Sequence, residues 1–158
     1  MTRPILYIAG PYSAGHGRSV TDNIAVARRY AVAAAKAGWM PFTPHLNTAH
    51  FEDSCPEIPN EDWISGDLAI LDLLSRRWSA MLMLPRWETS GGARLERQRA
   101  LERGLEVFDP PASPESIPPA MAFVACPFYR EGRVGDTCMA DGSECPPETS
   151  CPIRRRCR

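Results

Sequence analysis

The chain has 158 residues, a formal net charge of −1, and 44% hydrophobic against 23% charged residues. That composition is ordinary for a soluble globular protein able to bury a core without staples. It excludes the broad basic field that holds duplex nucleic acid, so no nucleic-acid partner is expected. The first apolar run, ILYIAG, ends at Pro11. It is too short for a secretory leader or a bilayer span, so a cytoplasmic protein with no membrane partner is expected.

ILYIAG (5–10) is predicted as a strand buried on both faces. GPYSAGHGRS follows as a loop. Gly10 and Gly15 permit close backbone approach, and the loop feeds a helix N-terminus whose amide donors favour an anion. It matches neither GxGxxG nor a Walker A pattern, so taken alone it reads more simply as a surface loop. TDNIAVARRYAVAAAKAG is predicted as a helix with Thr21 or Asp22 as N-cap and Gly38 at C′. WMPFTPH (39–45) is a second extended segment, and a loop holding Pro56 and Pro59 follows. NEDWISGDLAILDLLSRR is a second helix capped by Asn60, with Trp63, Leu68, Leu71 and Leu74 near helical spacing. AMLMLP (80–85) is a third buried strand, and SGGARLERQRALERG is a third helix with Ser90 as N-cap and Gly104 near its end. LEVFD (105–109) is a fourth strand.

Strands alternating with helices imply right-handed crossovers and a parallel sheet. The predicted fold is a small doubly wound, Rossmann-like α/β domain with helices on both faces. Ligands of such sheets bind beyond the carboxyl ends of the strands, where GPYSAGHGRS, PHLNTAH and PRWETSGG should converge.

Composition changes near residue 110, and the predicted division is an α/β domain over 1–109 and a Pro/Cys-rich C-terminal extension over 110–158. Cys126, Cys138, Cys145, Cys151 and Cys157 all lie in the extension, with no CxxC pair among them. In a cytosolic chain a metal, such as a structural zinc held by these five, is favoured over disulfides. A loose tail is the equal alternative. The closing run IRRRCR reads as a solvated cationic end.

Four side chains carry the chemistry of the body. Ser90 can cap its helix, and its hydroxyl with the amides of Gly91 and Gly92 can cradle a phosphate oxygen. Glycine at the first two helical positions costs roughly 1 kcal/mol each relative to alanine, which suggests a use. Glu96 shares a helical face with the small residues Ala93, Ala100 and Gly104, so it is expected half-buried against the sheet. Asp67 falls on an apolar stripe with Trp63 and Leu71, and Tyr7 points a phenol toward one face of the sheet. Two carboxylates and a tyrosine in one crevice are the ingredients of glycosidic-bond cleavage with a carboxylate nucleophile; spacing alone leaves open whether they meet. His16, His45 and His50 form no HxxxH or HExxH pattern, so no catalytic metal is expected in the body. His45 reads equally as a ligand contact or as a structural hydrogen bond.

LYIAGPYS, then NIxxAxxxAxxxxxxGxxPFTPH, GDLAIL and MLPRWETSGGARLE, in that order, resemble the nucleoside 2-deoxyribosyltransferase-like superfamily over roughly residues 4–109. Within it the chain is most similar to an often phage-borne branch with a PGWExSxGAxxE signature. The superfamily includes deoxyribosyltransferases and nucleoside 5′-monophosphate N-glycosidases. The resemblance implies that Glu96 attacks the anomeric carbon to form a glycosyl-enzyme, that Tyr7 orients that carboxylate, and that Asp67 binds the sugar and assists proton transfer to the departing base. It implies a phosphate site at Ser90 and on the first loop, where Gly10, Ser13, Gly15 and Arg18 lie; the Gly91 and Gly92 amides and His45 join these as candidate substrate contacts from the reading of the residues above. It also implies a nucleotide or nucleoside substrate, most simply a (deoxy)nucleoside 5′-monophosphate, no cofactor for the catalytic domain, and a homodimer or higher homo-oligomer. Two positions depart from the pattern: Ser79 stands where relatives carry an aspartate before the third strand, and Arg86 where the branch commonly has glycine. The alternative reading is a non-catalytic nucleotide-binding module of the same fold. A cytokinin-type phosphoribohydrolase, with PGGxGTxxE, does not fit the glycine-to-glutamate spacing of SGGARLE.

Overall fold

The computed structural model describes residues 3–120. Four parallel strands, β1 (Ile5–Ala9), β2 (Met40–Phe42), β3 (Ser79–Met83) and β4 (Glu106–Phe108), form one sheet in the order β2-β1-β3-β4. The connecting helices are α1 (Val20–Lys36), the short α2 (Pro44–Asn47) and α3 (Phe51–Ser54), α4 (Asn60–Asp72) and α5 (Gly91–Glu102). The chain is therefore the expected small α/β fold. Its strand order reverses between β1 and β3, so their carboxyl ends frame the crevice of the sheet.

The central strands earn their place by being apolar on both sides: every residue of β3 is buried, as are Leu6, Tyr7, Ile8 and Ala9 of β1. Alternation along β1 splits these side chains between the two faces. Leu6 and Ile8 join Ala27, Ala31 and Ala34 of α1 in one core. Tyr7 and Ala9 join Leu71, from α4, and Ala93 and Ala100, from α5, in the other. Tyr7 is thereby aimed at the helix that carries Glu96.

Local signals explain most boundaries. Helix α1 begins at Val20, with Ser19 as N-cap. This corrects the expected cap at Thr21 or Asp22: Asp22 is instead the third helical residue. The Ser19 hydroxyl accepts from its amide at 3.1 Å, and its carboxylate accepts from the Ser19 amide at 2.9 Å. Pro59, not Asn60, caps α4, and no side chain bonds that end. Gly38 has the positive φ of 95° that ends α1 as expected. The second extended segment, expected over 39–45, ends at Phe42, and the stretch from there to α4 holds α2 and α3 where extended chain and then loop were expected; α2 is started by Pro44 at a position where its missing N–H is no loss.

The chain stays on the body beyond β4. Ile117 and Ala120 enter the α1-side core. The Trp39 indole N–H donates to the Pro118 carbonyl at 2.7 Å, and the Ala120 amide donates to the Ala37 carbonyl at 2.9 Å. Cys126, Cys138, Cys145, Cys151 and Cys157 lie outside the described residues. No helix among the described residues is long and apolar enough to cross a membrane.

Candidate functional site

A cleft of about 710 Å³ opens at the carboxyl ends of β1 and β3. It is walled by the loop after β1, by His45 of α2, by Trp63, Ile64 and Asp67 of α4, and by Arg86 and the start of α5. The segments expected to converge do converge.

At its floor the Tyr7 hydroxyl donates to Glu96 Oε1 at 2.6 Å. Each residue arrives there by a local rule. Tyr7 is on the α5 side of β1 by strand alternation, and Glu96 faces the sheet because Ala93, Glu96 and Ala100 form the buried stripe of α5. The small alanines let the helix approach closely, so Glu96 is only 6% exposed, deeper than the half-burial expected from sequence. Asp67 lines the same cleft from α4 and acts electrostatically on both Glu96 and Tyr7.

Burial sets the proton affinities. Desolvation pushes the Glu96 carboxyl from 4.5 up to about 8, against the Tyr7 hydrogen bond, which favours the charged form, and with the Asp67 charge, which disfavours it. Desolvation also raises Asp67 from 3.8 to about 6. The Tyr7 phenol is driven well above its ordinary range, first by burial and then by the Glu96 charge, so it stays a hydrogen-bond donor. Near neutral pH the two acids therefore hold about one proton between them.

The polar end of the cleft is built from backbone. Asn23, 4% exposed on α1, donates through Nδ2 to the carbonyls of Tyr12 and Ser13 at 3.1 and 3.0 Å, fixing the loop after β1. The His45 ring N–H at Nε2 donates to the Pro11 carbonyl at 2.9 Å. Of the two roles open for His45, the structural hydrogen bond is therefore present, while its buried Nδ1 has no partner among the described residues. Burial holds its pKa below the ordinary value, so the ring is neutral. The Tyr12 hydroxyl donates to Glu52 at 2.7 Å and accepts from the His50 amide at 2.9 Å, tying the loop to α3.

Gly10 answers to packing as well as to the cleft: a Cβ there would stand 2.5 Å from Leu84 Cβ. Gly15 and Gly91 face open space, and a Cβ on Gly92 would meet Ile64 at 3.5 Å. At the start of α5 the Ser90 hydroxyl accepts from the Ala93 amide at 3.3 Å, as a cap should. Gly10, Ser13, Gly15, Arg18, His45, Ser90, Gly91 and Gly92 line the cleft together with Asp67 and Glu96, whereas Tyr7 is fully buried behind Glu96 and reaches the site only through their hydrogen bond.

Sequence reading passed over Asn23, Tyr12 and Arg86 as site residues. Asn23 shares the helical face of Val26, Ala27, Tyr30, Ala31 and Ala34, so the 3.6-residue period of α1 is the signal that places it on the buried side. Arg86 gave none beyond its departure from glycine. Comparison with curated proteins gives no match. Residues 4–109 match a family described as a domain of unknown function, DUF7768, and the chain belongs to that family.

Proposed function

We propose that the protein cleaves the N-glycosidic bond of a nucleotide or nucleoside, most simply a (deoxy)nucleoside 5′-monophosphate, through a covalent intermediate on Glu96. The observation that carries this reading is the buried Tyr7–Glu96 hydrogen bond beside Asp67 at the floor of the cleft. A buried carboxylate oriented by a neutral phenol is a nucleophile held in one direction, and a second acid with a different proton affinity is the partner such chemistry needs. The sequence resemblance to the deoxyribosyltransferase-like superfamily supports the same assignment.

Near neutral pH the shared proton rests mainly on Glu96, the weaker acid of the two; the productive state is the less populated tautomer, in which the proton has passed to Asp67 and Glu96 is ionised. One Glu96 oxygen attacks the anomeric carbon as the bond to the base nitrogen breaks. The bonding pair leaves with the base, which takes the Asp67 proton. The Tyr7 hydroxyl stays on the other Glu96 oxygen, keeping the carboxylate aligned. Water, deprotonated by the Asp67 carboxylate, then attacks the same carbon and frees Glu96; a second base in place of water gives transfer. These steps need no cofactor. The reading brings with it a small-molecule substrate and a homodimer or higher homo-oligomer, as the resemblance implies, and the short N-terminal apolar run adds the expectation of a cytoplasmic location.

The test is incubation with a panel of nucleosides and nucleoside 5′-monophosphates, with free base followed by chromatography. Base release that Glu96→Gln abolishes supports the proposal. Wild-type protein that binds a nucleotide and releases no base refutes it in favour of a non-catalytic nucleotide-binding module, the reading that Ser79 favours in place of the usual aspartate.

A further inference from the structure

Arg86 stands in a backbone conformation that seldom carries a side chain. Its φ is 72°, in the left-handed region where glycine is at ease and a long branched cation is not. The residue follows the end of β3, and its guanidinium Nη2 crosses to the loop after β1, donating to the His16 carbonyl at 2.7 Å. His16 is itself left-handed, with φ 51°. The bond thus spans the two chain segments that leave the sheet where its strand order reverses. Backbone strain of this kind persists only where the surroundings hold it, and it concentrates at ligand clamps.

Charge places Arg86 further. Among the described residues the ion pairs involve other side chains, and none includes Arg86. The carboxylates lining the cleft are Glu52, Asp67 and Glu96. Glu52 is engaged by the Tyr12 hydroxyl and Glu96 by the Tyr7 hydroxyl. Arg18, the other arginine of the lining, has its charge beside Asp22. Arg86 is therefore a half-buried cation that makes one side-chain hydrogen bond among the described residues, at the mouth of a cleft whose floor is acidic. A ligand matching that pattern carries its anion at one end and its reacting carbon at the other.

We propose that Arg86 is the specificity-determining residue of the cleft, selecting sugar ligands that bear a 5-phosphate over their uncharged counterparts. The assignment rests on the N-glycosidase reading for the orientation of the ligand, but it can be tested apart from turnover. Ribose 5-phosphate and 2-deoxyribose 5-phosphate have no base to lose, so calorimetric titration of the full chain with them reads binding alone. The variants are Arg86→Gly, which removes the cation while suiting the backbone, and Arg86→Lys, which keeps the charge without the fork.

The phosphosugars should bind Arg86→Gly on the order of 10- to 100-fold more weakly than wild type, the range for loss of a charge-assisted hydrogen bond, with Arg86→Lys between the two. Nucleoside binding should be unchanged, and the midpoint of thermal unfolding of Arg86→Gly should equal or exceed that of wild type. The proposal is overturned if wild type binds neither phosphosugar or if Arg86→Gly binds them as wild type does. It is equally overturned if nucleoside binding falls in parallel, because Arg86 would then be a brace for the loop. Phosphosugar binding lost in Arg86→Gly, with no base release by wild type, would uphold this inference and refute the catalytic one.

Discussion

Replacing Glu96 by Gln should remove most of the protein's loss of stability with rising pH. The wild-type carboxyl holds its proton up to about 8 in the folded chain, against 4.5 for the ordinary group. Between those two values the unfolded chain has released the proton and the folded chain has kept it, so the unfolded state gains on the folded one as pH rises. The difference corresponds to at most about 5 kcal/mol at 1.36 kcal/mol per pH unit, and relaxation or water entry reduces such a penalty by a factor of about 2. Below the window the group contributes nothing, and above it the full penalty stands. Glutamine removes the titration, and its carbonyl oxygen can still accept from the Tyr7 hydroxyl. Urea unfolding at about pH 5 and about pH 9 should show wild type losing roughly 2 kcal/mol or more relative to Glu96→Gln. Asp67 titrates in both proteins, so the comparison isolates Glu96. Equal pH dependence in the two would mean that the carboxyl is hydrated, and the reasoning from burial would fail.

Other perturbations test neighbouring links. Base release should follow a bell-shaped pH profile with limbs near 6 and 8, set by the Asp67 and Glu96 pair. Tyr7→Phe should move the alkaline limb upward, because the lost hydrogen bond is the interaction favouring the charged form of Glu96; a limb that stays in place would remove Tyr7 from its orienting role. Gly10→Ala should destabilise the fold by about 1–3 kcal/mol through overpacking, since the new Cβ meets Leu84 Cβ at 2.5 Å, backed by a buried strand end. Denaturant unfolding indistinguishable from wild type would show that the close approach of these strand ends is not real.

Much of this site could be read from residue spacing. Strand alternation gave Tyr7 its face, and the Ala93, Glu96, Ala100 stripe gave Glu96 its burial, because both depend on a period and not on distant contacts. Ser90 capped its helix as its residue type demands. The misses share a different cause. Helices α2 and α3 are single turns among prolines, too short for a period to form. The Ser19 cap was hidden by the β-branched Val20 and Thr21 that follow it, though Asp22 completed the capping box. The left-handed backbone of Arg86 follows from how the chain turns after Pro85, and an arginine does not announce it. The packing of residues 110–120 on α1 was masked by their proline-rich composition, which resembles that of the segment beyond.

The central claim is that the Glu96 carboxylate becomes bonded to the sugar. Protein mixed with a nucleoside 5′-monophosphate that it turns over, quenched in acid within one turnover and examined by intact-mass and peptide mass spectrometry, should carry a sugar-phosphate adduct on the peptide containing Glu96. Base release without any adduct there, or with the adduct on another side chain, would contradict the assignment.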